Sequence, residues 1–141
     1  MKTHVLIAIA VAMNIALTGC ESMTAHVLDE GDQTQLQKRS YQSRVFDTAD
    51  KELTMRSVIA TLQDLGFIID KADLTLGTVS ATKFKGYQLK MTVSVRPRGT
   101  SQMLVRANAQ FNIRPVEDPK PYQDFFVSLG KAMFLTAQAV E

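Results

Sequence analysis

The feature that most constrains the fold is a strict alternation of apolar and polar side chains in two neighbouring stretches. Apolar residues take every second position, namely Leu89, Met91, Val93 and Val95 in the first stretch and Met103, Val105, Ala107, Ala109, Phe111 and Ile113 in the second. Turn residues from Pro97 to Thr100 separate the two. Because successive side chains of a strand point to opposite faces, the pattern predicts an antiparallel hairpin with one buried and one solvated face.

Two further segments have the three-to-four spacing of amphipathic helices. The first follows Asp47, where Thr48 or Asp50 is suited to cap the first turn, and it ends at Gly66. Its apolar stripe is Leu53, Met55, Val58, Ile59, Leu62 and Leu65. The second begins near Tyr122 and carries Phe125, Phe126, Leu129, Met133 and Ala137. Only one of the adjacent phenylalanines is expected to point straight into the core, and Gly130 is expected where the helix crosses the sheet closely.

Two shorter strands complete the predicted sheet. Phe67 to Ile69 is one, followed by a polar turn from Asp70 to Asp73, and residues 77–84 are the other. Phe84 and Tyr87 flank the next turn and are interpreted as core residues, with an exposed apolar pair as the alternative. Three prolines between Arg114 and Pro121 are expected to interrupt the sheet. Since every apolar stripe must be covered, the predicted fold class is α+β, a two-layer antiparallel sheet of about four to five strands with two helices on one face.

The N-terminus predicts a secretory leader in residues 1–19. An apolar run from Val5 to Leu17 follows Lys2 and is shorter than the roughly 20 residues that span a bilayer. The sequence Leu17-Thr18-Gly19-Cys20 resembles the bacterial lipobox, which implies that the thiol of Cys20 carries diacylglycerol, that the chain is cut before it, and that the new amino terminus is acylated. The alternative is a buried helix that ends at Gly19, with Cys20 as a free core thiol.

This resemblance implies a lipid-anchored protein. In such proteins an aspartate directly after the lipidated cysteine favours retention in the inner membrane. Here that position is Glu21, which indicates the periplasmic face of the outer membrane. Residues 20–44 are polar and are predicted to form a flexible tether, with Leu36 to Tyr41 docked as an extra helix or edge strand as the alternative. Residues 45–141 are the predicted periplasmic α+β domain. Cys20 is the only cysteine, so no disulfide is expected despite the oxidising compartment.

The residue types of the predicted domain exclude several kinds of catalytic site. Both histidines, His4 and His26, precede it, so nucleophilic sites that need an imidazole, and zinc or copper sites, have no candidate ligands there. Two carboxylate pairs stay as candidates for acid–base chemistry or calcium binding: Asp70 with Asp73, and Glu117 with Asp118. Both pairs are interpreted as turn residues. We therefore expect no enzymatic activity, no cofactor and no metal.

Basic residues dominate one part of the chain. No acidic residue lies between Asp73 and Glu117, where seven lysines and arginines are found. A candidate binding face, the polar side of the predicted hairpin, comprises Lys90, Thr92, Arg96, Arg106 and Asn108. Such a face suits lipid phosphates, glycan-associated anions or an acidic partner. The alternative is ordinary solubilising charge that protects sheet edges. A formal net charge of +2 does not favour a nucleic-acid partner.

Several segments resemble a group of small proteobacterial lipoproteins of unknown function. They are residues 44–50, 58–69 and 76–83, with residues 122–126 and 133–135 near the C-terminus. The order of helix, Leu-Gly-Phe, strand, Gly-Thr-Val strand, hairpin and final helix is also similar to BamC-type helix-grip domains, which belong to lipoproteins accessory to β-barrel assembly. That second likeness is architectural, since this chain has one such domain where BamC has two.

The functional hypothesis is a non-catalytic, membrane-anchored periplasmic adaptor or accessory subunit of an envelope assembly. Its expected partners are the lipid bilayer, through acylated Cys20, and an envelope protein complex that docks on the basic face or on an open sheet edge. The alternative is a carrier or sensor that holds a lipid or glycan between the sheet and the helices. A third hypothesis is hydrolysis of cell-wall material by a carboxylate pair.

Overall fold

The computed structural model describes residues 35–139, with side chains for residues 35–134. The elements in chain order are α1 (residues 35–42), β1 (Ser43–Phe46), α2 (Lys51–Asp64), β2 (Ile68–Asp73), β3 (Thr78–Phe84), β4 (Gln88–Arg98), β5 (Gln102–Phe111), β6 (Arg114–Pro115) and α3 (Lys120–Ala139). From Gln37 onward the chain forms one compact unit, which is the fold described below.

The sheet is antiparallel throughout and confirms the predicted α+β architecture. Its strand order is β1-β5-β4-β3-β2, and β6 also pairs with β5. The predicted hairpin is its centre, with a register that runs from Leu89 opposite Phe111 to Arg98 opposite Gln102. Helices α2 and α3 pack against each other and against one face of this sheet. The opposite face is open to solvent.

The alternation of side chains places the core on the helix-covered face as predicted, except at one end. Leu89, Met91, Val93 and Val95 are buried, as are Met103, Val105, Ala107 and Ala109. Phe111 and Ile113 continue the apolar pattern but are 37% and 90% exposed, so their predicted core positions are wrong. The reason is a tight turn at Asn112, whose φ of +52° reverses the chain into β6. The proline segment therefore begins by adding a short strand.

Helix α2 begins and ends where local capping predicts. The Asp50 carboxylate accepts a hydrogen bond from the Leu53 amide at 2.8 Å, while the Thr48 hydroxyl accepts one from the Asp50 amide at 3.1 Å. At the other end Gly66, with φ +82°, reverses the chain, and the Phe67 amide donates to the Leu62 carbonyl at 2.9 Å. The buried face is Thr54, Met55, Ser57, Val58, Thr61 and Leu62.

Strand β2 is longer than its sequence predicts. The expected turn from Asp70 to Asp73 is wrong, since residues 71–73 pair with β3 and the turn lies at 74–77. The register shifts between Ile69 and Lys71. Asp70 lies in this bulge, and its carboxylate accepts a hydrogen bond from the Thr82 hydroxyl at 2.7 Å. A polar sequence is tolerated here because β2 is an edge strand with one open face.

Helix α3 differs from two expectations. Phe125 and Phe126 are both buried, at 0% and 4% exposure, and the Arg44 guanidinium of β1 lies 5.7 Å from the centre of the Phe126 ring. The two rings also meet edge to face, with centres 5.1 Å apart. Gly130 does not mark a close crossing, since a Cβ added there would meet no atom within 4 Å. Its small size is not required by packing.

The folded part begins before residue 45. Residues 35–42 are helical and Ser43–Phe46 pairs with β5, which matches the docked alternative for the segment that includes Tyr41 rather than a free tether. The Tyr41 ring packs 5.3 Å from that of Tyr122, centre to centre. The predicted leader, the lipidation site Cys20 and the earlier part of the tether lie outside the described residues.

Candidate functional site

The candidate binding face is a single exposed surface on the open side of the sheet. Its members are all exposed and alternate along β4 and β5 with the buried core residues, so their side chains lie on the face opposite the core: Lys90, Thr92, Arg96, Arg106 and Asn108. The register places Thr92 directly opposite Asn108, and it places Arg106 opposite Ser94. Directly paired positions on one face have Cβ atoms about 5 Å apart. The structure therefore brings together the residues that the sequence predicted to share a face.

The cations of this face lack acidic partners among the described residues. Salt bridges in the part of the chain that the structure describes join Lys38 to Glu117, Arg56 to Glu52 and Lys120 to Asp124. All of these lie away from the open face. Arg106 donates from Nε to the Ser43 hydroxyl at 3.2 Å, which orients the guanidinium without neutralising it. Uncompensated charge on a flat surface gives a positive potential that attracts anions.

One depression on this face is suited to a carboxylate. It is lined by Ser94, Arg96, Leu104 and Arg106 and has a volume of about 330 Å³. Two guanidinium groups border it, and each can donate two parallel hydrogen bonds to one carboxylate. The adjoining Ser94 hydroxyl can donate or accept. This arrangement of donors is complementary to an acidic side chain.

The sheet edges are poorly suited to strand addition. Edge strand β2 is interrupted by the bulge at Asp70 and carries Lys71, and both features discourage pairing with another strand. The other edge is shared by β1 and β6, which have four and two residues. The open face is therefore the better docking surface.

A second candidate site is a cleft on the helix side of the sheet. It has a volume of about 390 Å³ and lies between the end of α2, the start of α3 and strands β3 to β5. Phe67, Leu89 and Met91 supply an apolar floor, while Tyr87 and Phe111, whose rings meet edge to face at 4.9 Å, form a wall. The sequence did not predict this cleft, because it depends on how α3 returns across the sheet.

Three lysines line the cleft, and two of them are already engaged. Lys83 donates to the Leu65 carbonyl at 2.7 Å and lies 5.7 Å from the centre of the Phe67 ring. Lys120 binds both carboxylate oxygens of Asp124, at 3.1 and 3.0 Å. Lys85 has an ammonium group with no hydrogen bond or ion pair to any described residue. It is the cation in this cleft that is available to an anionic ligand.

The carboxylate pairs considered for catalysis are occupied by local contacts. Asp73 accepts a hydrogen bond from the Leu76 amide at 2.8 Å, and Asp118 accepts one from the Lys120 amide at 2.9 Å. Glu117 binds Lys38 at 2.8 Å, and this hydrogen bond, more than the charge of the lysine, holds the pKa of Glu117 below its ordinary value. Within residues 35–139, no three potential metal-ligating side chains come together.

Phe84 and Tyr87 are exposed, which corrects their predicted core positions. Their side chains are 68% and 49% accessible. Both flank the turn at Gly86, beyond the part of the sheet that the helices cover. The Lys85-Gly86 turn itself was the signal in the sequence, since residues beside a turn at a sheet end have little above them to bury them.

No protein-family model matches the chain, and no curated protein matches it in sequence. Within residues 35–139, no helix combines the length and apolar character needed to cross a membrane.

Proposed function

We propose that the protein is a non-catalytic lipoprotein, held on the periplasmic face of a bacterial outer membrane by acylated Cys20, that acts as an adaptor or accessory subunit of an envelope assembly. The observation that carries the adaptor role is the open sheet face around Arg96 and Arg106, whose cations have no acidic partner in the described structure. We expect it to bind an acidic surface of a partner protein.

The physical basis is charge complementarity aided by tethering. Complementary charge raises the rate of encounter and selects partners, and arginine is prominent among residues that dominate binding energy at interfaces. Anchoring to the membrane would keep the local concentration of the domain high near any partner held in the same membrane.

The first prediction concerns the anchor. Replacing Cys20→Ala removes the thiol that lipidation requires, so we expect the diacylglycerol and N-acyl mass to be lost and the leader to be retained. Intact-mass spectrometry of the protein extracted from cell membranes measures both changes. Thr18→Ser keeps a small residue before the cleavage point and should be processed like the parent. An unmodified Cys20 in the parent protein would overturn the anchor.

The second prediction concerns the open face. A photo-crosslinking amino acid placed at Thr92 or Asn108 in intact cells should capture the same envelope protein from both positions. Reversing Lys90, Arg96 and Arg106 to glutamate should reduce that capture about tenfold or more, because each arginine would turn from an attractive to a repulsive group.

The control reverses three exposed cations that lie on helices, Arg39, Arg56 and Lys131. This variant changes the net charge equally and should leave capture unchanged. Equal capture by both triple variants, or no protein captured from either position, would refute the adaptor role of the open face.

A second candidate function is supported by the cleft. An apolar floor beside the unengaged Lys85 suits an anionic amphiphile such as a fatty acid or phospholipid. A carrier or sensor of this kind must retain its ligand on purification, whereas an adaptor need not. Native mass spectrometry distinguishes the two, and recovery of the protein at its bare mass only would count against the carrier.

A further inference from the structure

An exposed apolar patch lies at one end of the sheet. We define the apolar tip as Phe84, Tyr87, Phe111 and Ile113, whose side chains are 68%, 49%, 37% and 90% exposed. They belong to two turns, the one between β3 and β4 and the one between β5 and β6. Isolated exposed apolar residues are ordinary on protein surfaces, but a cluster of them indicates a surface that binds a protein or a membrane.

The members of the apolar tip lie at the same end of the sheet. Asn112, inside the second turn, donates a backbone hydrogen bond to the Gln88 carbonyl at 2.9 Å, which joins the two turns. Tyr87 and Phe111 are in ring contact on the helix side of the sheet. Phe84 pairs with Gln88 and lies at the open-face side of the same end. Ile113 follows Asn112 directly. The two turns therefore lie side by side and expose apolar side chains on both sides of this end.

The charges around the apolar tip are those of a membrane-binding surface. Lys85 and Arg114 each lie next to a tip residue in the chain, and the tip falls within the acid-free interval between Asp73 and Glu117. Glu117, just beyond the tip, is paired with Lys38. Asp118 and Asp124 line the cleft beside Tyr87 and Phe111, but Asp124 is paired with Lys120, and the cleft's three lysines outnumber these two carboxylates. Aromatic and aliphatic side chains flanked by cations suit the boundary between headgroups and acyl chains of an anionic bilayer.

The chain enters the domain at this same end. Strand β1 is antiparallel to β5, with Ser43 opposite Arg106 and Phe46 opposite Met103, so its first residue is the one nearer to Phe111. Preceding it, Lys38 and Tyr41 contact Glu117, which follows β6. An anchor attached upstream of Gln37 would therefore pull the end that carries the apolar tip toward the bilayer.

We propose that the apolar tip inserts into the headgroup region of an anionic membrane, the one to which the domain is tethered. Phe84, Tyr87, Phe111 and Ile113 enter the interface, while Lys85 and Arg114 contact lipid phosphates. The orientation rests on the proposed lipid anchor, but the chemistry of the tip does not. Binding strength in such cases grows with the buried apolar area and with attraction to anionic lipid.

The opposite end of the sheet provides a matched comparison. The turn between β2 and β3 exposes Leu74 and Leu76, at 49% and 65%. Charges of both signs surround it, since Asp73 accepts a hydrogen bond from the Leu76 amide while the Lys51 ammonium donates to the Thr75 carbonyl at 2.9 Å. Because this lysine is already engaged and a carboxylate lies beside it, the turn should bind an anionic bilayer more weakly than the apolar tip.

The experiment uses the chain from residue 21, which lacks Cys20 and retains the compact unit that begins at Gln37. Sedimentation with vesicles of equal parts phosphatidylethanolamine and phosphatidylglycerol should recover the protein, and pure phosphatidylcholine should recover much less. The double variant Phe84→Ser with Ile113→Ser should bind about tenfold more weakly. Leu76→Ser should bind like the parent, and thermal unfolding checks that each variant is folded.

A second measurement uses the absence of tryptophan from the sequence. Ile113→Trp should shift its fluorescence to the blue on these vesicles and be quenched by brominated lipid, whereas Leu76→Trp should show neither change. Equal behaviour of the two reporters, or no vesicle binding by the parent, would overturn the proposal. Because Cys20 is absent throughout, these results leave the anchor to be decided by the intact mass of the full-length protein.

Discussion

Replacing Gly77→Ala is expected to destabilise the domain by more than about 3 kcal/mol. A Cβ at this position would lie 2.3 Å from the Val95 carbonyl oxygen and 2.8 Å from the Lys51 side chain, and φ is +67°. The backbone cannot retreat easily, because the Gly77 carbonyl accepts a hydrogen bond from the Val95 amide at 2.7 Å. Urea unfolding of the parent and the variant measures the difference.

Gly99→Ala is the matched control for this prediction. Gly99 has a similar φ of +65°, but a Cβ there would meet no atom within 4 Å. The free energy of unfolding should therefore fall only by the cost of holding an alanine at positive φ, about 1 to 2 kcal/mol. The difference between the two variants isolates the contact with the Val95 carbonyl, and equal losses would show that this close approach is wrong.

Replacing Tyr122→Phe is expected to destabilise the domain by about 2 to 4 kcal/mol. The buried Tyr122 hydroxyl donates to the Val116 carbonyl at 2.9 Å and accepts from the Ala109 amide at 3.2 Å. The Val116 amide in turn donates to the Ala109 carbonyl at 2.9 Å. The Tyr122 hydroxyl therefore bridges the Ala109 amide and the Val116 carbonyl. In an uninterrupted ladder these two groups would form the next backbone hydrogen bond between β5 and the segment after β6. Without the hydroxyl, a buried donor and a buried acceptor are left unpaired.

Tyr41→Phe provides the comparison, again by urea unfolding. The Tyr41 hydroxyl donates to the Glu117 carbonyl at 3.2 Å in an exposed position, where water can replace it. Its loss should change the free energy of unfolding by less than about 0.5 kcal/mol. If the two phenylalanine variants behave alike, the inserted hydroxyl does not contribute as described.

Features set by local chemistry could be predicted from the sequence. Asp50 caps α2 and Gly66 ends it because capping depends on residues within one turn. The central hairpin could be predicted because its apolar residues recur at every second position. Only one orientation of such strands buries all of these residues on the same face. The same alternation predicts that Arg96 and Arg106 lie together on the exposed face of the sheet.

Features set by distant contacts could not be predicted in this way. Ile113 obeys the strand pattern, but the turn at Asn112 removes it from the sheet. Phe126 is buried in the core, and one of its neighbours, Arg44, comes from a strand about eighty residues earlier. The cleft and the apolar tip likewise depend on the return of the chain after β5, which neighbouring residues do not encode.

If the apolar tip enters a bilayer as proposed, the length of β4 sets the distance from that bilayer to the proposed docking surface. Gln88 is adjacent to the apolar tip, and Arg96 follows eight residues later on the same strand. At about 3.4 Å per residue, an extended antiparallel strand separates them by at most roughly 27 Å. With the tip seated in lipid, β4 would act as a rigid spacer, and a partner would have to present its acidic groups at or below that height to be reached.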